Sequence, residues 1–586
     1  MADRRIEHVV VLMLENRSFD NLLGFLDHPR PEFPRLIAGA YSNPVDPADP
    51  TSRQVPVSAD AGYSLPVDPP HSHKSALEQL GVRGLGEPRM NGFVSAYERK
   101  ASGHEERPII HWWRLGGLVL VIAALLAGLT AKLGGFVRKL WPVVFLGTAG
   151  GLGSVLSKQR KKVNHVNVVT GVGPQIMGCL APDKIPVLGT LAREFAVCTR
   201  WHSSVPGETW PNRNFVHAAT SDGSVDIEIG LYESTTIFER LERSGADWRI
   251  YHDGRAHVWA FADLWHGPRM GNWFEFKEFA RHVDADDLPA YSFIEPNHAG
   301  PKSNSQHPGN NVRPQPDSTD FERGEQLVAS IYESLRRNPA VFEKTLFLIT
   351  YDEYGGLFDH VAPPRRVPAP APLRKSRISP TRRFVSFFIE RETVVFDFRM
   401  LGGRVPTIIV SPWIEPGTID DQLYDHTSVI ATLRALFAPN SAPLTLRDAA
   451  ANSFHHLVRE RSQPRREDEL PDLSDRVAPE RRRDREVVGA PPAPDAEEPP
   501  PEPADAGPED EFSRQLSVLA DRMRAELARQ APAAAGAAAG ASRTAEPAAH
   551  RGAPPGPGAP TPPPGPDSDV VAAFLAQAEA RRAAAG

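Results

Sequence analysis

IEHVVVLML, residues 6–14, runs straight into Glu15 and Asn16 and is the stretch on which the fold turns. An apolar, β-branched run of this length reads as a strand, and it delivers a carboxylate and an amide at its carboxyl end. TLFLIT (345–350) repeats the pattern and delivers Asp352 and Glu353. A third run, RVPTIIV (404–410), ends at Ser411, Pro412 and Trp413. Between such runs lie stretches with helical spacing, which is the signature of an α/β fold, a sheet with helices on its faces. In open α/β sheets ligands bind outside the carboxyl ends of strands, so the two acidic pairs are expected to share one site. SSVPGETWPNRNFVHAATS (203–221) is a Gly/Pro turn running into a helix, with Thr209 near the helix start. A helix N-terminus presents unpaired N–H groups and a partial positive charge, which suits a phosphate held there.

Composition bounds the folded part. Pro makes up 58 of 586 residues, roughly twice the usual share near 5%, and much of it falls after residue 460 in runs such as APPGPGAPTPPPGPDSD (553–569). Such runs bury too little apolar surface to offset the entropy of ordering. The reading is therefore one catalytic domain over 1–460 and a mostly disordered Pro/Ala-rich tail over 461–586. The formal net charge of -7 offers no general attraction to a polyanion, so nucleic acid is not expected as a partner. Cys179 and Cys198 make neither a disulfide framework nor a metal-binding spacing. The apolar run at the N-terminus is short and lacks a small-residue cleavage site, so it reads as a first strand and not as a signal peptide.

One segment has a membrane-like composition. LGGLVLVIAALLAGLTA (115–131) and LWPVVFLGTAGGLGSVL (140–156) carry no charge and are joined by KLGGFVRK, which suggests a hydrophobic hairpin within residues 112–165. SKQRKKVNH follows the second run, and with Arg114 it places the flanks in the cytoplasm under the positive-inside bias. The localisation expected is cytoplasmic, with membrane contact through the hairpin.

ENRSFD (15–20), PGETWPNR (206–213), DEYGGLFDHV (352–361) and GGRVPTIIVSPW (402–413) resemble, in order and spacing, the signature motifs of the phosphoesterase family. That family contains bacterial phosphatidylcholine-preferring phospholipases C, plant non-specific phospholipases C and related acid phosphatases. The resemblance runs from Ile6 to about Phe454, with 112–165 looking like an insertion. It implies an alkaline-phosphatase-like sandwich with a central, mostly parallel sheet. It also implies Thr209 as nucleophile, a divalent metal ion held by Glu15, Asn16, Thr209, Asp352 and Glu353, and catalytic roles for His71, His307 and His360. His71 shares PPHSHK with His73, and either fits the motif.

Electrostatics argues for the metal independently. Three carboxylates facing one phosphate would repel it, each like-charge pair at about 4 Å costing roughly 4 kcal/mol at an effective dielectric of 20. A divalent cation reverses that sign and lowers the pKa of a coordinated hydroxyl. Singly, each residue has a plainer role. Glu15, Asn16 and Thr209 would serve as helix caps, Asp352 and Glu353 as turn residues, and Asp425 with His426 as the start of a helix packed under the site. Together they point to a phosphoric ester hydrolase of phospholipase C type, cleaving a glycerophospholipid phosphodiester through a phospho-threonine intermediate. The alternatives are a soluble acid-phosphatase-like phosphomonoesterase and, from another class, a catalytically silent membrane-bound adaptor.

Overall fold

The computed structural model describes residues 5–82, 86–103, 109–110, 169–227, 232–265, 267–311, 318–370, 389–390 and 396–478. The hairpin expected within 112–165 and the tail from 479 onward lie outside the described residues. Among the described residues no helix is long and apolar enough to cross a membrane.

One eight-stranded sheet organises the molecule. Its strands are β1 (His8–Leu14), β2 (Ala196–Cys198), β3 (Trp248–His252), β4 (Trp273–Glu275), β5 (Tyr291–Glu295), β6 (Thr345–Tyr351), β7 (Ile408–Val410) and β8 (Thr418–Asp420). They lie in the order β8-β2-β7-β6-β1-β5-β3-β4. Every pairing is parallel except those of β7, which runs against both β6 and β2. The sheet is thus mostly parallel, and the α/β class read from the alternation of runs is the one observed.

β1 and β6 are buried at every position. That is why both are continuous apolar runs and not alternating ones: a central strand covered on both faces has no solvent side to mark with polar residues. The covering helices are α1 (Phe19–Leu23), α2 (Pro186–Glu194), α3 (Thr209–Ala218), α4 (Asp320–Arg336) and α5 (Thr427–Phe437). α2 packs on α4, and α3 packs on α5. Thr319 and Glu322 form a reciprocal capping box at the start of α4, satisfying backbone donors that the helix itself leaves free.

Two boundaries differ from the sequence reading. The folded unit continues past residue 460 to Ala478, because Leu473 and Val477 enter the main core and Arg465 is buried against Glu194 at 2.7 Å. Tyr332 of α4 also donates to the Pro471 carbonyl at 2.8 Å. Proline content alone hides such a strap, since its few apolar residues are widely spaced. RVPTIIV forms a strand only over Ile408–Val410, and because that strand is reversed, Ser411–Trp413 leave from the far edge of the sheet. Trp413 there donates to the Glu343 carbonyl at 2.7 Å, just before β6 begins.

The turn after β6 depends on two glycines. Gly355 has φ +65° and Gly356 φ +67°; a Cβ on Gly355 would stand 2.1 Å from the Asn16 carbonyl oxygen, and one on Gly356 2.4 Å from that of Pro70. Left-handed backbone costs a side-chain-bearing residue about 1–2 kcal/mol before any clash is counted. Gly355→Ala is therefore expected to lower the unfolding free energy by more than this and to displace Asn16, measured as a drop in urea midpoint together with lost turnover.

Candidate active site

Three adjacent parallel strands end in acids on one edge of the sheet. β1 leads into Glu15, β6 into Asp352 and Glu353, and β5 ends at Glu295. Leu14 is in register with Tyr351, which brings the next residues of both strands side by side. The Asn16 backbone N–H donates to Asp352 Oδ1 at 3.0 Å, and its side-chain amide donates to Glu353 Oε1 at 2.8 Å. Asn16 adopts φ 57°, a left-handed conformation that asparagine tolerates better than most residues. Thr209 is the first residue of α3, its hydroxyl donating to Asn16 Oδ1 at 3.3 Å. No side-chain hydrogen bond caps this helix, and its N-terminal end carries the partial positive charge that suits a phosphate. Thr209, Asn16, Asp352 and Glu353 are thus brought together as the motifs implied.

Beneath them lies a layer of buried charge. Arg213, one turn along α3 from Thr209, donates to Asp352 Oδ2 at 3.0 Å, Glu295 Oε2 at 2.7 Å and the Met13 carbonyl at 2.9 Å. His298 bridges Glu15 and Glu295, at 3.0 Å from each. His426 precedes α5, and its Nε2 donates to the Asp352 carbonyl at 2.6 Å while Nδ1 accepts from Trp201. It therefore does begin a helix under the site, and it also fixes the backbone of an acid.

Burial pushes the Glu15 carboxyl up, but the charge and hydrogen bond of His298, with His307 and Arg213 behind, hold it down at about 2. Burial equally disfavours charge on His298, yet Glu15 outweighs it and raises the imidazole to about 9. The two shifts have opposite consequences with pH. The lowered Glu15 contributes stability above its ordinary value of 4.5, lost as pH falls toward about 2. The raised His298 contributes stability below its ordinary value of 6.5, lost as pH rises through about 9. Urea unfolding is expected to show a plateau between these limits, and His298→Asn is expected to flatten the alkaline decline, measured as midpoint against pH.

On the outer side, Asp68, His71 and His307 bring ligand atoms within 4.8 Å of one another. His71 Nδ1 lies 4.0 Å from Glu353 Oε1, and His307 Nδ1 lies 3.8 Å from Asp68 Oδ1. His73 instead begins a helix and turns its ring to the Pro206 carbonyl. Of the two histidines in PPHSHK, His71 is therefore the one that faces the acids. His360 is placed elsewhere: its Nδ1 meets Asp20 Oδ2 at 2.7 Å, beside Arg404, which also holds Asp359. Its contacts among the described residues do not include Thr209 or the acidic pairs.

These residues fit a divalent cation. Glu15 Oε1 is buried with no hydrogen bond among the described residues, while Oε2 faces His298 Nδ1 at 3.0 Å. Burial, the neighbouring acids adding to it, raises the Asp352 carboxyl and lifts that of Glu353 well above the carboxylate range. Such a group asks for positive charge from a ligand.

The sequence profile of the Phosphoesterase family matches residues 6–132 and 153–438. The chain belongs to the phosphoesterase family. Among similar proteins, non-specific phospholipase C1 of Arabidopsis thaliana is 31% identical over 489 residues, covering 80% of this chain and 74% of that protein. The non-hemolytic phospholipase C of Burkholderia pseudomallei (strain K96243) is 28% identical over 380 residues, covering 56% of this chain and 51% of that protein. A solved structure from Vibrio parahaemolyticus, described as a protein in the alkaline phosphatase superfamily, aligns at 11% identity with a TM-score of 0.29, covering 48% of this chain and 66% of that one. The α/β class rests on the sheet itself. The profile leaves out only 133–152 between its two parts, a shorter piece than the 112–165 insertion read from the sequence.

The phosphoesterase is a hydrolase of phosphoric esters. Its motifs named Glu15, Asn16, Thr209, Asp352 and Glu353, but not Glu295, His298 or Asp68. Glu295 closes YSFIE (291–295), and the strand-end rule that singled out Glu15 applies equally to it. His298 follows it by one short turn in EPNH (295–298), and nothing local distinguishes that histidine from any other.

Proposed function

We propose that this phosphoesterase is a phospholipase C acting on a glycerophospholipid phosphodiester through a covalent phospho-threonine intermediate. The observation that carries the reading is the Thr209 hydroxyl at an uncapped helix start, bonded to Asn16, which in turn grips Asp352 and Glu353. The phospholipase C relatives supply the substrate class.

Thr209 Oγ attacks phosphorus in line, forming a P–O bond as the bond to the diacylglycerol oxygen breaks. A histidine gives that oxygen its proton, and water then releases the head-group phosphate from Thr209. His71, 4.0 Å from Glu353, and His307, beside Asp68, are the histidines proposed for this exchange. His360, bound to Asp20, is given no part in it. A divalent metal ion would be held by Glu15, Asn16, Thr209, Asp352 and Glu353, and when bound it polarises a phosphoryl oxygen. His298 favours the ionised form of Glu15, and Arg213 offsets part of the burial that disfavours charge on Asp352. Residues 115–156 are proposed as a membrane contact on the strength of their length and apolarity, which flotation with phosphatidylcholine vesicles, with and without residues 113–157, would test.

The deciding experiment is hydrolysis of p-nitrophenyl phosphorylcholine and of p-nitrophenyl phosphate, each with and without chelator. Diester turnover lost on chelation is the expected result. Monoester turnover alone would move the enzyme to the phosphatase reading. A folded protein that turns over neither would leave the adaptor.

A further inference from the structure

We propose that the buried cluster of His217, His257 and Glu295, behind Arg213, is a second metal site, in which the three residues ligate a divalent cation of the zinc class. His217 lies on α3, one turn beyond Arg213; His257 opens the short helix His257–Ala260 after β3; Glu295 closes β5. One ligand atom from each lies within 4.8 Å of the others.

Both imidazoles are fully buried, and among the described residues none of their four ring nitrogens has a hydrogen-bond partner. Buried polar groups in folded proteins are paired almost without exception, so two unpartnered imidazoles, each with one nitrogen in the cluster around the Glu295 carboxylate, call for a ligand. The walls supply none. The His217 ring sits 4.6 Å from that of Phe293 and 5.6 Å from those of Phe238 and Phe261, and His257 lies 5.0 Å from Trp210. Aromatic walls of this kind exclude bulk water and hold the donors in place.

Glu295 is oriented as a ligating carboxylate would be. Its Oε2 takes Arg213 and His298, while Oε1 accepts only the Val258 N–H, at 3.2 Å, and keeps a lone pair for a cation. Metal-binding carboxylates are typically fixed by such outer hydrogen bonds. Two imidazoles and one carboxylate favour zinc over calcium or magnesium, with a fourth position left to water. The cation would pin Glu295, and through it the Arg213 and His298 that position Asp352 and Glu15.

Anomalous diffraction at the zinc edge on the unmodified full chain, grown with zinc, tests this without any variant. The expected result is a peak within this cluster, roughly 2.0–2.1 Å from one nitrogen of each histidine. Water alone in that position would overturn the proposal. Cobalt loading gives a second readout, a visible ligand-field band that His257→Gln removes and Glu353→Gln leaves in place. A band abolished by Glu353→Gln and untouched by His257→Gln would assign the cation to the upper site and refute the lower one.

Discussion

Thr209→Ala is expected to lower kcat for p-nitrophenyl phosphorylcholine by on the order of 10⁴- to 10⁶-fold, the range seen when a nucleophile is removed from an otherwise intact site. Stability should scarcely change. The hydroxyl makes one hydrogen bond, to Asn16 at 3.3 Å, and losing a bond of that kind costs about 1 kcal/mol. Neither the helix nor the pocket depends on the group, since α3 begins without a side-chain cap. Thr209→Ser keeps the oxygen and should retain measurable turnover, so the pair of variants separates loss of the nucleophile from loss of shape. Steady-state kinetics beside urea unfolding would check both. Wild-type turnover in Thr209→Ala would sink the covalent mechanism.

Arg213→Met should have the largest effect on folding, a loss of about 3–5 kcal/mol, as found when one partner of a buried ion pair is removed. Arg213 is buried, and its guanidinium serves Asp352, Glu295 and the Met13 and Leu14 carbonyls. Methionine fills much of the volume but leaves the carboxylates without their cation. Burial works to raise the Glu295 carboxyl, and Arg213, with His298, more than reverses it, holding that group far below the usual range. Without Arg213 both acids can accept protons, so the deficit should shrink as pH falls. Urea denaturation at pH 7 and pH 5 measures this directly, and a loss under about 1 kcal/mol would show that the layer does not depend on the pair.

What the sequence disclosed followed from contiguity. Glu15 and Asn16 directly follow an apolar strand, Asp352 and Glu353 follow another, and Thr209 sits inside a motif that marks a helix start, so each could be placed by reading one segment. The α/β class was legible for the same reason. Glu295 was within reach of the same rule and went unread. His298, Asp68 and Arg213 acquire meaning only through partners far along the chain: Glu15, His307, Asp352. Strand direction was equally hidden, because Ile408–Val410 reads the same whichever way it runs, and only its pairing shows that Ser411 faces away from the acids. The strap of 461–478 was lost in a proline-rich background.

The place of β1 in the sheet has a consequence for how the protein is made. This strand is made well before its neighbours, since Val9 pairs with Tyr291 on one side and Leu346 on the other. Seven residues, six of them apolar, must therefore wait unpaired until most of the domain has been synthesised. Pairings this distant are slow to form and expose sticky surface meanwhile. A nascent chain halted before β6 would hold Glu15 and Thr209 but neither Asp352 nor the strand that seats them. Catalytic competence should thus arrive late and abruptly during translation, and truncated products should be ready clients for chaperones instead of partly active enzymes.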